Sequence, residues 1–273
     1  MAIDLHIHTT HSDGTLTPEA VVDLAREASL TAIAITDHDT VSAVAAATEA
    51  AGSEIEVVAG LELSAQGPGD PDVHILGYFV DPAAPGLLRT LTSLRTARTA
   101  RAVTMVQSLT AAGYRITWQD VLQQAGAGAV GRSHVARALL SNGEVASLEE
   151  AFMRLIGARA PFYFAKRSLT LGDAVALVHD AGGAAVLAHP GITGEGSLVA
   201  LVDEGLDGIE AYHAEHTTSQ RAHFAALAKR FGLVATGGSD FHGPGAKGAL
   251  IGAGECPPRA LDSLRERAAA RRS

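Results

Sequence analysis

The sequence is poor in cysteine, in aromatic residues and in long apolar runs, and each shortage excludes a class of protein. Its one cysteine, Cys256, can form no intrachain disulfide, and it argues against a structural zinc finger. No apolar stretch approaches the roughly 20 residues that cross a membrane. No basic segment followed by an apolar stretch opens the chain, so we expect no secretory signal and no membrane partner. These shortages predict a cytoplasmic protein, and no feature predicts a stable protein partner.

Positive charge is also scarce outside one segment. The net charge of −9 argues against non-specific nucleic-acid binding by the whole surface. Residues 95–167, however, contain ten Lys or Arg against four Asp or Glu, whereas the rest of the chain contains eleven against twenty-six. A basic block inside an acidic chain indicates a segment that faces an anion, and a solvated helical face is the competing interpretation.

The remaining composition is that of an α/β protein with a full hydrophobic core. The chain has 273 residues, and 47% of them are hydrophobic. Strand and helix patterns alternate on both sides of a stretch of roughly 60 residues that shows helical patterns only. We therefore predict an all-helical insertion at residues 95–167, within a domain formed by residues 1–94 and 168–273. The alternation itself is compatible with a parallel barrel or an open doubly wound sheet.

The first dozen residues carry the clearest chemical signal. Asp4, His6 and His8 alternate with apolar residues, which is the period of a β-strand, so the two imidazoles point the same way and can bind one metal ion. A polar turn then leaves Asp13 near the same end. A surface pair of histidines is the alternative for this motif taken alone.

Further histidines and acids follow or border the predicted strands. With those of the first strand they form a set of nine candidate metal ligands: His6, His8, Asp13, His38, Glu62, His74, His189, Asp240 and His242. Imidazoles and carboxylates without thiolates suit Zn, Mn or Fe. Nine ligands exceed the needs of one ion, so we expect two or three divalent ions, with Glu62 able to bridge. Such a site activates water and stabilises attacking and leaving oxygens, which suits the hydrolysis of a phosphate ester.

The motifs that hold these residues resemble those of the polymerase and histidinol phosphatase (PHP) family. They occur in order at residues 4–14 (DLHIHTTHSDG), 35–39 (ITDHD), 60–62 (GLE), 73–77 (VHILG), 188–191 (AHPG) and 238–242 (GSDFH). The resemblance implies an α/β fold, a distorted (β/α)7 TIM-like barrel, with up to three ions. The helical insertion resembles a subgroup that includes nucleotide phosphatases and a 5′-to-3′ RNA-trimming exonuclease.

The resemblance also implies roles for individual residues. It places His6, His8, Glu62 and Asp240 on one ion, Glu62, His74 and His189 on a second, and Asp13, His38 and His242 on a third. It implies attack on phosphorus by a hydroxide that bridges the ions, with His189 and Asp240 in the catalytic set.

Substrate contacts are expected mainly from the insertion. Arg132 and His134 lie at a predicted helix start, where backbone N–H groups favour an anion, and Arg132 can bind phosphate through two hydrogen bonds. Lys166, at the return to the barrel, is a further candidate. His216 could contact the substrate or protonate the leaving oxygen. The alternative for Arg132 and His134 is that they only cap and solvate the helix.

The leading hypothesis is a metal-dependent phosphatase acting on a small phosphorylated metabolite, best a nucleotide such as a 3′,5′-bisphosphate or a nucleoside monophosphate. The few aromatic residues of the insertion could stack on a base, or could equally belong to its core. A nuclease that trims short RNA from the 5′ end is the second hypothesis, and hydrolysis of histidinol phosphate ranks lower. A binding module without catalysis predicts missing ligands, and none is missing.

Overall fold

The computed structural model describes residues 2–67, 70–126, 128, 130–165, 168–193, 196–244 and 250–272. The chain divides into two compact units. Met1–Thr90 and Ser168–Ser273 form the first, which we call the barrel unit. Leu91–Arg167 forms the second, the helical unit. The predicted insertion began four residues later, at residue 95, and the division falls inside a long helix.

The strands of the barrel unit belong to one sheet that nearly closes on itself. They are β1 Ala2–Ile7, β2 Leu30–Ile35, β3 Glu56–Gly67, β4 Asp70–Tyr78, β5 Leu169–Thr170, β6 Ala184–Leu187, β7 Gly208–His213 and β8 Val234–Gly238. Their order is β1-β2-β3-β4-β6-β7-β8, and the short β5 pairs with β3. Past the end of β8, Phe241 makes a parallel bridge to Ile7, and its carbonyl accepts the His8 N–H at 2.9 Å. The result is the TIM-like α/β barrel that the family resemblance implies, and not the open doubly wound sheet that the sequence pattern also allowed.

Helices surround this sheet and make up the helical unit. They are α1 Pro18–Glu27, α2 Val44–Ala51, α3 Pro85–Ala111, α4 Trp118–Ala125, α5 Arg132–Ser141, α6 Leu148–Ala151, α7 Leu171–Asp180, α8 Pro190–Thr193, α9 Leu198–Asp203, α10 Thr218–Phe231 and α11 Pro258–Arg272. Several begin as their sequences predict: the Thr17 hydroxyl accepts the Ala20 N–H, and Pro18 occupies the first turn of α1. None of the described helices has the length and apolar character required to cross a membrane.

One strand departs from the parallel pattern. β4 runs antiparallel to both β3 and β6, because only two residues separate the end of β3 from the start of β4, too few for a helical crossover. The sequence pattern predicts these two strands over residues 55–61, with Glu62 at the end, and 73–80. In the structure, β3 continues to Gly67 and β4 begins at Asp70. Glu62 therefore lies within β3, opposite Leu76, and His74 lies within β4, opposite Ser64.

Apolar side chains hold each unit together separately. In the barrel unit, Ile3 and Leu5 of β1 share a buried cluster with Val186 and with Leu264 of α11. In the helical unit, a different cluster gathers apolar residues of α3 to α6 and of the π-helical turn Phe152–Ile156. Each unit therefore has a hydrophobic core of its own, as expected for an independent packing layer.

A buried ion cluster ties α11 to the barrel and gives a first prediction. Asp207 is 1% exposed, and its carboxylate accepts hydrogen bonds from the Ala185 N–H, His179 Nε2 and Arg271 at 2.9 Å each. Asp207→Asn should lower the free energy of unfolding by about 1–3 kcal/mol, because buried donors lose their charged acceptor.

The pH dependence of that loss follows from the carboxyl group. Burial opposes ionisation of Asp207, but His179, the Ala185 N–H and Arg271 outweigh it and lower its pKa below the ordinary 3.8. The stabilisation is therefore fully present above pH 3.8 and disappears as the pH falls through the lower folded value. Urea unfolding of both proteins at pH 7 and pH 3 measures this, and an equal difference at both pH values would contradict it.

Candidate metal centre

The first strand presents two buried imidazoles side by side. His6 and His8 are both fully buried, and their ring centroids lie 5.2 Å apart. The neighbouring strand passes very close at this point, since a Cβ on Gly238 would lie 2.3 Å from the Cβ of His6. Only glycine permits that approach, which brings the segment after β8 against the two histidines.

Glu62 is the centre around which the other groups collect. Its Oε1 lies 2.8 Å from His74 Nδ1 and 2.9 Å from His189 Nε2. Its Oε2 lies 3.0 Å from His38 Nδ1. The same Oε2 is 3.5 Å from His6 Nε2 and 3.3 Å from His8 Nε2. A single carboxylate that touches imidazoles on both of its oxygens is placed to bridge ions.

A second group of ligand atoms forms beside it. Asp13 Oδ1 lies 3.3 Å from His242 Nε2, 3.7 Å from His8 Nδ1 and 4.0 Å from His38 Nε2. Asp240 Oδ1 lies 3.2 Å from His8 Nε2 and 3.4 Å from His6 Nε2. The structure thus brings together all nine residues that the sequence predicts as metal ligands. They are spread along the chain from residue 6 to residue 242.

Two observations indicate that these atoms are suited to bind divalent cations. Two ligand atoms on a tetrahedral zinc ion lie about 3.3 Å apart, given metal–ligand bonds of about 2.05 Å. His6 Nε2 and His8 Nε2 lie 3.2–3.5 Å from oxygens of Glu62 and Asp240, which is that spacing. Both of these buried nitrogens also have no hydrogen-bond partner among the described residues. Buried polar atoms of this kind are uncommon unless an ion or ligand satisfies them.

Groups of at least three possible ligand atoms recur within this cluster. Within the described residues they are His8–Asp13–His38–His242, His6–His8–Asp240, His6–Glu62–His189, His38–Glu62–His74 and His6–Glu210–His213. In each group the ligand atoms lie within 4.8 Å of one another. The cluster therefore offers enough ligands for more than one ion.

Buried carboxylates outside the candidate ligand set fix the loops that carry it. Asp37 accepts the Thr9 N–H at 2.8 Å and the hydroxyl protons of Thr9 and Ser12. Asp4 accepts the N–H groups of Ser239 and Gly252 at 2.9 and 2.7 Å. These bonds satisfy backbone donors at loops that have no strand partner there.

The backbone bends sharply where ligands leave their strands. His189 and Asp240 have φ angles of +28° and +54°, and Asp39 has +51°. Side chains other than glycine rarely adopt this region, and such residues concentrate at functional sites. Here the conformation turns the side chains of His189 and Asp240 toward Glu62 and His6 respectively.

Charge compensation within the cluster keeps its central acid ionised. Burial raises the pKa of Glu62, but the imidazoles of His38, His74 and His6 outweigh this and hold it well below its usual value. Burial likewise opposes protonation of His8, but Asp240 and Glu62 raise its pKa to about 10. Burial dominates at His38 and lowers its pKa to about 4. An ionised Glu62 and a neutral His38 are in the forms that bind metals, whereas His8 would release its proton when an ion binds.

Two buried residues of this cluster are not among the candidates predicted from the sequence: Glu210 was not considered, and for His213 a structural role was weighed equally with a functional one. Glu210 lies within β7, and its Oε1 is 3.0 Å from His6 Nδ1. His213, at the end of the same strand, has Nε2 3.7 Å from Asp240 Oδ2. The signal that could have revealed Glu210 is an acid in the middle of an otherwise apolar strand, residues 208–212.

His216 is buried and engaged at both ring nitrogens. Its Nε2 accepts the Gly191 N–H at 3.1 Å, and its Nδ1 lies 3.0 Å from the carbonyl of Ala211. Burial lowers the pKa of His216. A direct role in protonating a leaving oxygen, as the sequence analysis expected, requires His216 to give up one of these two bonds. In this conformation it fixes the loop after β7.

The candidate substrate contacts lie in the helical unit. Arg132 begins α5, and its guanidinium lies over the rings of Tyr163 and Phe152, 5.7 and 5.9 Å from their centroids. His134 is buried, and its Nδ1 accepts the Gly131 N–H at 3.0 Å, so this atom caps the helix. Lys166 lies outside the described residues.

Sequence comparison with known proteins identifies relatives that align with most of this chain. The chain is 37% identical over 263 residues to a 3′,5′-nucleoside bisphosphate phosphatase of Chromobacterium violaceum, an alignment that covers 92% of this chain and 90% of the relative. It is 35% identical over 250 residues to the 5′-3′ exoribonuclease Rnm of Salmonella typhimurium, covering 88% and 85%.

Structural comparison also identifies a similar protein. A solved Bifidobacterium adolescentis protein, assigned as a metal-dependent phosphoesterase, superposes with a TM-score of 0.90 at 33% identity, covering 97% of this chain and 96% of that one. The model of the PHP domain family matches residues 4–157. The chain therefore belongs to the PHP domain family.

Proposed function

We propose that this chain, a PHP-family hydrolase of phosphate esters, removes a phosphate monoester from a small nucleotide such as a nucleoside 3′,5′-bisphosphate. The observation that carries the proposal is the cluster of nine imidazole and carboxylate side chains that has Glu62 at its centre. The choice of a nucleotide is supported by the relative from C. violaceum, whose name specifies that substrate class.

The proposed cofactors are two or three divalent ions, Mn, Fe or Zn. His6, His8, Glu62 and Asp240 would hold one ion, Glu62, His74 and His189 a second, and Asp13, His38 and His242 a third. Such ions lower the pKa of water and neutralise charge on the oxygens around phosphorus. His189 and Asp240 are included in the catalytic set because they approach Glu62 and His6 from different strands.

The protein's own contribution is to hold these groups in place before the substrate arrives. The imidazoles on both oxygens of Glu62 keep its carboxylate ionised and oriented. Asp37 and Asp4 fix the loops that carry His8 and Asp240 through backbone N–H bonds. Such preorganisation avoids rearrangement during the reaction, which is how fixed charges contribute most to catalysis.

The helical unit is proposed to bind the rest of the substrate. Arg132 combines a guanidinium with a place at the start of α5, where the helix dipole favours an anion, and both features favour a phosphate. The guanidinium groups of Arg101 and Arg132 both lie near the ring of Tyr163, 5.2 and 5.7 Å from its centroid. This places positive charge beside an aromatic ring, a combination that favours nucleotide binding.

Arg132→Ala tests this assignment. We expect KM for a nucleoside 3′,5′-bisphosphate to rise about 10- to 100-fold, because a charge-assisted phosphate contact contributes roughly 1.5–3 kcal/mol. Arg115→Ala is the matched control, since Arg115 is an exposed arginine of the same unit that pairs with Glu144. Steady-state kinetics on both variants decide the matter, and equal KM values for Arg132→Ala and the wild type would exclude the contact.

A substrate screen tests the function as a whole. Mn-loaded protein should release phosphate from a nucleoside 3′,5′-bisphosphate faster than from a nucleoside monophosphate or histidinol phosphate. Comparable rates on histidinol phosphate would overturn the nucleotide assignment.

Trimming of short RNA from the 5′ end is the second candidate. It is favoured by the basic charge of residues 95–167 and by the relative named exoribonuclease Rnm. A nuclease that contacts several backbone phosphates loses affinity steeply as salt rises, whereas a mononucleotide phosphatase loses little. Rates on a short 5′-phosphorylated oligoribonucleotide and on the bisphosphate, at 50 and 200 mM KCl, distinguish the two functions.

A further inference from the structure

Glu210 occupies a position behind the candidate metal ligands. It is fully buried within β7, and both of its carboxylate oxygens face His6 Nδ1, at 3.0 and 3.2 Å. One of these oxygens also accepts the backbone N–H of His189 at 2.8 Å. A buried carboxylate is unfavourable unless charged or hydrogen-bonding groups satisfy it, and here both partners belong to residues of the proposed metal centre.

The two nitrogens of His6 point at different carboxylates. Nε2 faces Asp240 and Glu62, at 3.4 and 3.5 Å, while Nδ1 faces Glu210. The imidazole ring therefore separates Glu210 from the oxygens that surround Nε2. Glu210 cannot share an ion with His6 Nε2 across the width of that ring. Its position is that of a group that acts through His6.

We propose that Glu210 is a positioning residue that sets the metal affinity of the centre by orienting two candidate ligands at once. Its carboxylate accepts the Nδ1 proton of His6, which fixes the tautomer and leaves the Nε2 lone pair directed at the ion. Its bond to the His189 N–H holds the backbone of a residue whose φ is +28°. The carboxylate thus links β1 to the segment after β6.

The surroundings of Glu210 support this role. His213 lies on the same strand, and its ring centroid is 6.1 Å from that of His6. An amide in place of the carboxylate removes the negative charge and puts an NH2 group against either His6 Nδ1 or the His189 N–H, where an acceptor is needed.

Metal titration of Glu210→Gln tests the proposal. We expect the affinity for Mn²⁺, measured by competition with a chelating dye, to fall about 10- to 100-fold at the weakened site. Asp207→Asn is the matched control, because Asp207 is another buried acid three residues away that contacts none of the candidate ligands. That variant should lose thermal stability and retain the wild-type affinity for Mn²⁺. Unchanged affinity in Glu210→Gln, or an equal loss in both variants, overturns the proposal.

A measurement on the wild type keeps the proposal testable where Glu210→Gln fails to fold. In Zn²⁺-loaded protein labelled with ¹⁵N-histidine, NMR should show His6 protonated at Nδ1 and not at Nε2. Protonation at Nε2, or an unprotonated Nδ1, contradicts the proposal.

The inference rests on the proposed function, since it concerns the same ions, and its failure can be separated from a failure of that function. Wild-type protein that binds no Mn²⁺ contradicts the metal centre itself. Wild-type protein that binds Mn²⁺ with an affinity independent of residue 210 contradicts only the role of Glu210.

Discussion

Glu62→Gln is expected to lower kcat/KM about a thousand-fold or more on any phosphate ester that the wild type hydrolyses. Both oxygens of Glu62 contact imidazoles, three of them at 2.8–3.0 Å. The amide keeps the shape of the side chain but removes the negative charge and one ligand oxygen. Losing several kcal/mol of electrostatic stabilisation in the transition state corresponds to that factor.

The matched control lies on the same strand. Glu56 begins β3, is half-exposed and pairs with Arg265 on the surface at 2.7 Å. Glu56→Gln should therefore keep both wild-type kinetics and metal content. Elemental analysis of the two variants alongside the kinetics separates loss of metal from loss of fold. A Glu62→Gln protein that retains its ions and more than a tenth of its activity would contradict the bridging role.

The pattern of the first strand was the most predictable part of the centre. The alternation of His6 and His8 with apolar residues fixes which way the imidazoles point, because successive side chains on a strand face opposite sides. The tendency of chemical groups to follow strand ends in barrels led us to expect His38, His189 and Asp240 in one place. In the structure, His38 and His189 approach Glu62, and Asp240 approaches His6. Both regularities are visible in short stretches of sequence, so they can be predicted without knowledge of the tertiary structure.

What the sequence did not reveal depends on contacts between distant strands. Glu62 was expected at the end of β3 but lies within it, since pairing with the antiparallel β4 extends the strand to Gly67. Glu210 looked like any acid in a short strand, because its partner His6 lies 204 positions away. Only the assembled barrel shows that this acid is fully buried against an imidazole.

Removal of the metal ions should lower both activity and stability. The cluster holds at least three acids, Asp13, Glu62 and Asp240, which are nearly shielded from water. Each lies within a few ångströms of a histidine that also approaches another of the three. Ions that bind only the folded chain stabilise it by about 4 kcal/mol per site when present at a thousand times their dissociation constant. For a protein of this size, that corresponds to a fall in Tm of roughly 10 °C on chelation.

Differential scanning calorimetry before and after dialysis against a chelator measures the effect, and Mn²⁺ should restore both Tm and activity. Two variants serve as controls for this measurement. Glu56→Gln should show the same shift as the wild type, because its carboxylate lies outside the cluster. Glu62→Gln should show a much smaller shift, because the ions that chelation removes are already weakly held. A wild-type Tm and activity that chelation leaves unchanged would mean that imidazole–carboxylate bonds alone satisfy these buried groups, and the case for a metal centre would fail.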